Sequence, residues 1–300
     1  PLLTRSPSQI RPSGLYLPIP YLADSDPGSL VPIIRAGINT TPMGKPRPRP
    51  SITFKVTSEF DVLELESGRK IATGEADTAW HVRVQRVRKK RPVAALVDPA
   101  GRPVALHRKG FVIRPRASGT AIIAIDPDSA PGGGAAGKLL RGWLELSLHT
   151  GGLKAVNVLD LENYTHGVLS AEMPIKSPIE ALKAQAVLAR SHALFIKKIT
   201  RRHRRDGYDV CDEQHCQVYA GARAESQRSR EIVDATRGRI ATFGGRVAHV
   251  IYSSNCGGHT QSGTEIGWGN VPYWLGIADA AEQQSAGKSP WALRQWLSGW

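Results

Sequence analysis

Two groups of residues carry chemistry by type and spacing. The first is Glu172, a single carboxylate in Leu169-Ser170-Ala171-Glu172-Met173-Pro174. Apolar neighbours disfavour the charged form of a carboxyl group, so a glutamate among them keeps its proton nearer neutral pH and can serve as a general acid. Taken alone, the residue also reads as a helix-terminal glutamate facing water. The second group is Cys211, His215 and Cys216, three metal-binding types within six residues, with Cys256 and His259 further on. Thiolates plus imidazole suit Zn²⁺. A Cys211–Cys216 disulfide is the competing arrangement in an oxidising setting. Three cysteines in all argue against a disulfide framework and allow one bridge or a metal site.

The elements that must position these groups follow from periodicity and caps. Asp160 is placed to cap a short helix with Leu161, Tyr164 and Val168 on one face, which Pro174 stops. A longer helix is expected from Ser177 as N-cap and Pro178 as first helical residue, with Glu180 completing a capping box. Its apolar residues (Ile179, Leu182, Ala186, Val187, Leu188, Leu194, Phe195) occupy most of the circumference, which predicts a largely buried helix. It should end near the basic run 201–205, where cations suit the negative end of the helix dipole. A further helix is expected over 223–236, closed by Gly238. A two-residue hairpin is expected from 239–243, Gly244-Gly245 and 246–252. Glu172 thus falls at a tight helix–helix connection, where a rigid scaffold can present it to a groove.

Upstream, alternation of apolar and polar residues in Ile52–Val56, His81–Gln85 and Trp143–Leu148 predicts strands. The last of these runs through Thr150-Gly151-Gly152 into Leu153–Val158 as a hairpin. The expectation is an α+β protein of three parts. Residues 1–30 form an extended Pro-rich leader, 31–150 a β-rich domain, and 151–300 a mixed helical and β-hairpin domain that carries the chemistry. With 300 residues, 41% hydrophobic and 22% charged, the chain can bury a sizeable core. No run of about 18 apolar residues is present to span a membrane.

The formal net charge of +14, with runs such as Arg86–Arg91 and Arg201–Arg205, predicts attraction to polyanions: nucleic acid, anionic lipid or acidic wall polymers. Aromatic residues make up only 6% and none interleaves with the basic runs, so no specific nucleic-acid partner is expected. Gly132 to Lys138 matches part of a phosphate-binding loop, but Leu139 stands where a Ser or Thr would hold Mg²⁺, so a linker is expected.

Five blocks of the C-terminal half, in order and spacing, resemble the SpoIID/LytB family. They are Val156–Tyr164 running into Ala171-Glu172-Met173-Pro174; Ile179–Arg190; Tyr208–Tyr219; Ala235–Gly238; and Tyr252–Thr260 with Val271-Pro272-Tyr273 beyond. The likeness covers 156–276, is weaker from Ile34-Arg35-Ala36-Gly37 onward, and fades after Gly276. The resemblance implies a peptidoglycan lytic transglycosylase outside the cytoplasm, in the cell envelope, periplasmic or secreted. It would cut glycan strands to 1,6-anhydromuramyl ends with Glu172 as catalytic residue and no required cofactor. It equally implies the alternative of a non-catalytic enhancer of a wall amidase, partnered with another cell-wall hydrolase. It adds that a family member holds zinc through the Cys/His segment, a metal not general to the family, here structural if bound.

Around this core, Lys183 and Arg190 lie seven residues apart on one helix face with Gln185 nearby. They are candidates to contact sugar or lactyl groups, ordinary helix polarity being the alternative. Tyr252, Ser253 and Ser254, at the end of an expected strand, are candidates for a groove wall, strand-end hydrogen bonding being theirs.

Overall fold

The structure, a computed structural model, describes residues 4–5, 31–86, 91–117, 119–126, 137–254 and 256–278. Nearly all of the expected leader, most of the 86–91 basic run and most of the 132–138 glycine segment lie outside the described residues.

Among the described residues, sixteen strands and three α-helices follow in this chain order: β1 (Thr4–Arg5), β2 (Ile33–Ile38), β3 (Ser51–Val56), β4 (Phe60–Glu64), β5 (Lys70–Gly74), β6 (Trp80–Gln85), β7 (Val93–Val97), β8 (Pro103–His107), β9 (Gly110–Pro115), β10 (Ile123–Ile125), β11 (Leu139–Leu140), β12 (Trp143–His149), β13 (Gly152–Asp160), α1 (Leu161–Glu172), α2 (Ile179–Phe195), β14 (Val210–Cys211), α3 (Gln227–Ala235), β15 (Ile240–Phe243) and β16 (Arg246–Val247). The mixed sheets with three helices and a strand-rich N-terminal half make the chain α+β.

Six strands pair in the order β11-β10-β3-β6-β7-β8 and seven in the order β14-β2-β13-β12-β9-β4-β5. Alternation puts Ile52, Phe54 and Val56 of β3 inside, as a strand with one buried face requires. Phe60 of the second sheet meets Phe54 and Trp80 of the first edge-on, at 5.7 and 6.0 Å between ring centroids. One apolar core takes residues from both sheets and from α1 and α2. The domain limit expected at 150 falls in the turn between β12 and β13, which pair from Trp143↔Val158 to His149↔Gly152 inside the seven-stranded sheet. By contacts, residues 1–250 form one unit and 251–300 a second.

The helices follow their caps. Asp160 accepts from Asn163 N–H at 2.9 Å and starts α1. α2 departs from expectation at its start. Pro178 takes the N-cap place, its carbonyl accepting the first helical bond from Leu182 N–H, and it has no side chain to cap with; Ser177 N–H closes a separate turn on Pro174 O. Glu180, freed from any capping box, pairs with Lys183 at 2.8 Å. At its other end α2 widens into a π-helical turn, Ile196–Thr200. The expected 223–236 helix is split into a 3₁₀ turn, Gly221–Ala224, and α3, because Ser226 and Ser229 form a reciprocal capping box. β15 and β16 turn through Gly244 and Gly245 at φ 56° and 77°, the left-handed pair a tight hairpin needs. β16 ends at Val247, short of the expected 252.

The second unit is irregular over its described residues. Thr260 N–H donates to Ile277 O at 2.8 Å, and Trp268 and Trp274 meet at 6.4 Å. Among the described residues no helix is long and apolar enough to cross a membrane.

Candidate functional site

Glu172 is the last residue of α1. Met173 turns extended (φ −135°, ψ 134°), its N–H still bonded to Leu169 O, and Pro174 prevents continuation. The Glu172 carboxylate is half-buried and accepts a hydrogen bond from the Val218 backbone N–H. Burial pushes its pKa above the ordinary carboxylate range, and the Val218 bond works in the opposite direction. The carbonyl end of a helix also disfavours an anion.

The segment that supplies this N–H is fixed from both sides. Gln217 Nε2 donates to Tyr164 OH (3.0 Å) and Ala189 O (3.2 Å), joining α1 to α2. Tyr219 stacks on Tyr164 at 5.0 Å and donates to Asn157 Oδ1 at 2.7 Å. Residue types gave no warning of the Val218 contact, since its donor is a backbone amide.

The expected sugar contacts separate. Arg190 is fully buried and spans Glu162 (2.6 Å), Val233 O (2.8 Å) and Thr236 Oγ1 (3.1 Å), so it ties the three helices together from inside. Gln185 is buried too, and its Nε2 has no hydrogen-bond partner among the described residues. Lys183 stays near the surface beside Glu180. Tyr252, Ser253 and Ser254 belong to the second unit, where the chain is irregular rather than strand. An open depression of about 360 Å³, lined by Arg35, Lys197, Arg201, Arg204, Gly207, Tyr208 and Asp209, includes none of these residues and not Glu172.

Cys211 and Cys216 are unbridged. With His215 and His203 they bring four donor atoms within 4.8 Å of one another. Cys216 Sγ lies 3.3 Å from His203 Nε2, and Cys211 Sγ 3.7 Å from His215 Nδ1. The neighbouring Cys216 thiol, against burial, pulls Cys211 down to about 4, while the Cys211 thiol and burial push Cys216 up. His203 Nδ1 is 3.0 Å from Asp206 Oδ2, the carboxylate support that ligating histidines commonly have. Gly44 (φ 69°) covers the cluster so closely that a Cβ there would lie 2.7 Å from His203 and His215 and 3.0 Å from Cys211 Sγ. Two thiols, two imidazoles and an outer carboxylate fit a tetrahedral metal. His203 was hidden from sequence reasoning inside the arginine run 201–205, where it reads as charge.

Residues 149–243, about a third of the chain, match the SpoIID family, described as Stage II sporulation protein. The segment contains Glu172 and all four metal-type donors. An uncharacterized protein of Brachyspira hyodysenteriae is 40% identical over 122 residues, 41% of this chain and 33% of that protein. The amidase enhancer of Bacillus subtilis is 32% identical over 118 residues, 39% of this chain and 15% of that protein. Stage II sporulation protein D of Bacillus amyloliquefaciens is 29% identical over 152 residues, 46% and 40% respectively. The match therefore spans well under half of each of these relatives.

Proposed function

We propose that this chain acts on the bacterial cell wall, outside the cytoplasm, as a peptidoglycan lytic transglycosylase in which Glu172 is acid and then base. The observation that carries the reading is a carboxyl group whose burial favours its proton, bonded to one backbone donor and with no cation beside it among the described residues. Protonated Glu172 gives its proton to the glycosidic oxygen as the bond from that oxygen to the anomeric carbon breaks. The sugar's own 6-hydroxyl closes on the anomeric carbon, and the Glu172 carboxylate takes the hydroxyl proton. The product is a 1,6-anhydromuramyl end, and Glu172 returns to its starting state. A second carboxylate is unnecessary because the nucleophile belongs to the substrate.

The same reading assigns Zn²⁺ to His203, Cys211, His215 and Cys216. These residues would hold the ion, which would then supply a structural tie between the 203–206 turn and the loop that leads through Gln217 to Val218. Lys183, Tyr252, Ser253 and Ser254 remain candidates for glycan contact. Purified sacculi incubated with this chain alone should release anhydro-ended fragments detectable by mass spectrometry, and Glu172→Gln should release none.

The likeness to an amidase enhancer favours a second reading, in which the chain binds wall glycan and stimulates a partner hydrolase without cutting. No anhydro product from the wild type, together with faster digestion by an added amidase, would select it.

A further inference from the structure

The open depression beside the 201–209 turn, about 360 Å³, is lined by four cations and one carboxylate. Two of the cations are anchored. Arg35 makes a bidentate pair with Glu145 (2.6 and 2.7 Å) and donates to Gly207 O at 3.1 Å. Lys197 pairs with Asp209 at 2.6 Å. The other two, Arg201 and Arg204, are exposed and have no carboxylate partner among the described residues. Their backbone is set: Arg201 holds a left-handed conformation (φ 49°) while its N–H closes the π-helical turn on Ile196 O, and Arg204 N–H bonds Arg201 O. Next to the lining Gly207, the half-buried Lys154 ammonium donates to Asp206 O at 2.6 Å.

We propose that this depression is a binding site for the phosphate groups of an anionic polymer, the phosphodiester chains of a cell envelope being the occupant. The proposal goes beyond the Glu172 reading and stands without it. Guanidinium forks match phosphate oxygens in pairs, and two unpaired forks rim a space large enough for one phosphodiester unit. The exposed Lys198, Arg202 and Arg205 continue the charge along the same turn, so successive units of a chain meet further cations. Nucleic acid fits less well. The one aromatic lining residue, Tyr208, is buried and donates its hydroxyl to Gly44 O at 2.5 Å, leaving no platform for a base.

The test measures binding of the full chain to poly(glycerol phosphate), with inorganic phosphate, polyglutamate and a single-stranded DNA of equal phosphate number as comparison probes. Arg201→Asn (asparagine tolerates the left-handed backbone) with Arg204→Ser removes both forks. The expected result is tight binding to poly(glycerol phosphate) that inorganic phosphate displaces. The double variant should weaken it at least tenfold and lower its salt dependence by roughly one to two units of slope. Arg201→Lys with Arg204→Lys, which keeps the charge, should still weaken binding about threefold. Unchanged affinity in both variants, equal or tighter binding of polyglutamate or DNA, or phosphate binding without polymer binding would each overturn the proposal.

Discussion

Two glutamates on one helix have opposite surroundings. Glu162, in the first turn of α1, is buried with the Arg190 guanidinium against it and Gly238 N–H at 2.9 Å, so its lone pairs are committed. Glu172, ten residues on at the other end, is half-buried with one backbone donor and no cation among the described residues. What distinguishes the two is the count of donors supplied to the charged form, together with which end of the helix dipole each occupies.

That contrast breaks most sharply at Arg190. Arg190→Met leaves Glu162 buried without its cation and should cost about 3–5 kcal/mol in urea unfolding. A loss under about 1 kcal/mol would mean the pair does not hold the helices. Ser226→Ala removes the one complete capping box described and should cost about 1 kcal/mol. Ser177→Ala, at a site that looks equally good in sequence but makes no cap bond, should fall within about 0.5 kcal/mol of zero. Equal costs at the two serines would contradict the helix starts described here.

Glu172→Gln should have the smallest effect on stability and an opposite sign. A group whose folded pKa is raised contributes stability that is present below its unfolded pKa and lost as pH rises through the folded value. Thermal melts should therefore show the glutamine variant slightly more stable than wild type at neutral pH, the gap closing in acid. A variant less stable at neutral pH would indicate that the carboxylate form is the one the fold favours. Chelator should lower the melting temperature of zinc-loaded protein, and His203→Ala should abolish that sensitivity.

Much of the frame was legible because it is local. The strand alternation at Ile52–Val56, the β12–β13 hairpin, and α1 between Asp160 and Pro174 depend on residues within a few positions of one another. The site was legible only in part. Glu172 stands out by its neighbours in sequence, but Arg190 reads as a candidate sugar contact or ordinary helix polarity until Glu162, 28 residues away, is folded against it. Ser177 does not cap α2 because the first helical bond is accepted by Pro178 O, one residue later than the sequence suggested. His203 and the Val218 amide join their sites through chain reversals that no spacing rule anticipates.

The most direct measurement is a pH titration of the Glu172 carboxyl carbon by NMR, assigned by its loss in Glu172→Gln. The account predicts a midpoint clearly above that of an exposed glutamate in the same protein. A midpoint at or below the exposed value would contradict it, because the carboxyl would then have no proton to give where a glycan is cut.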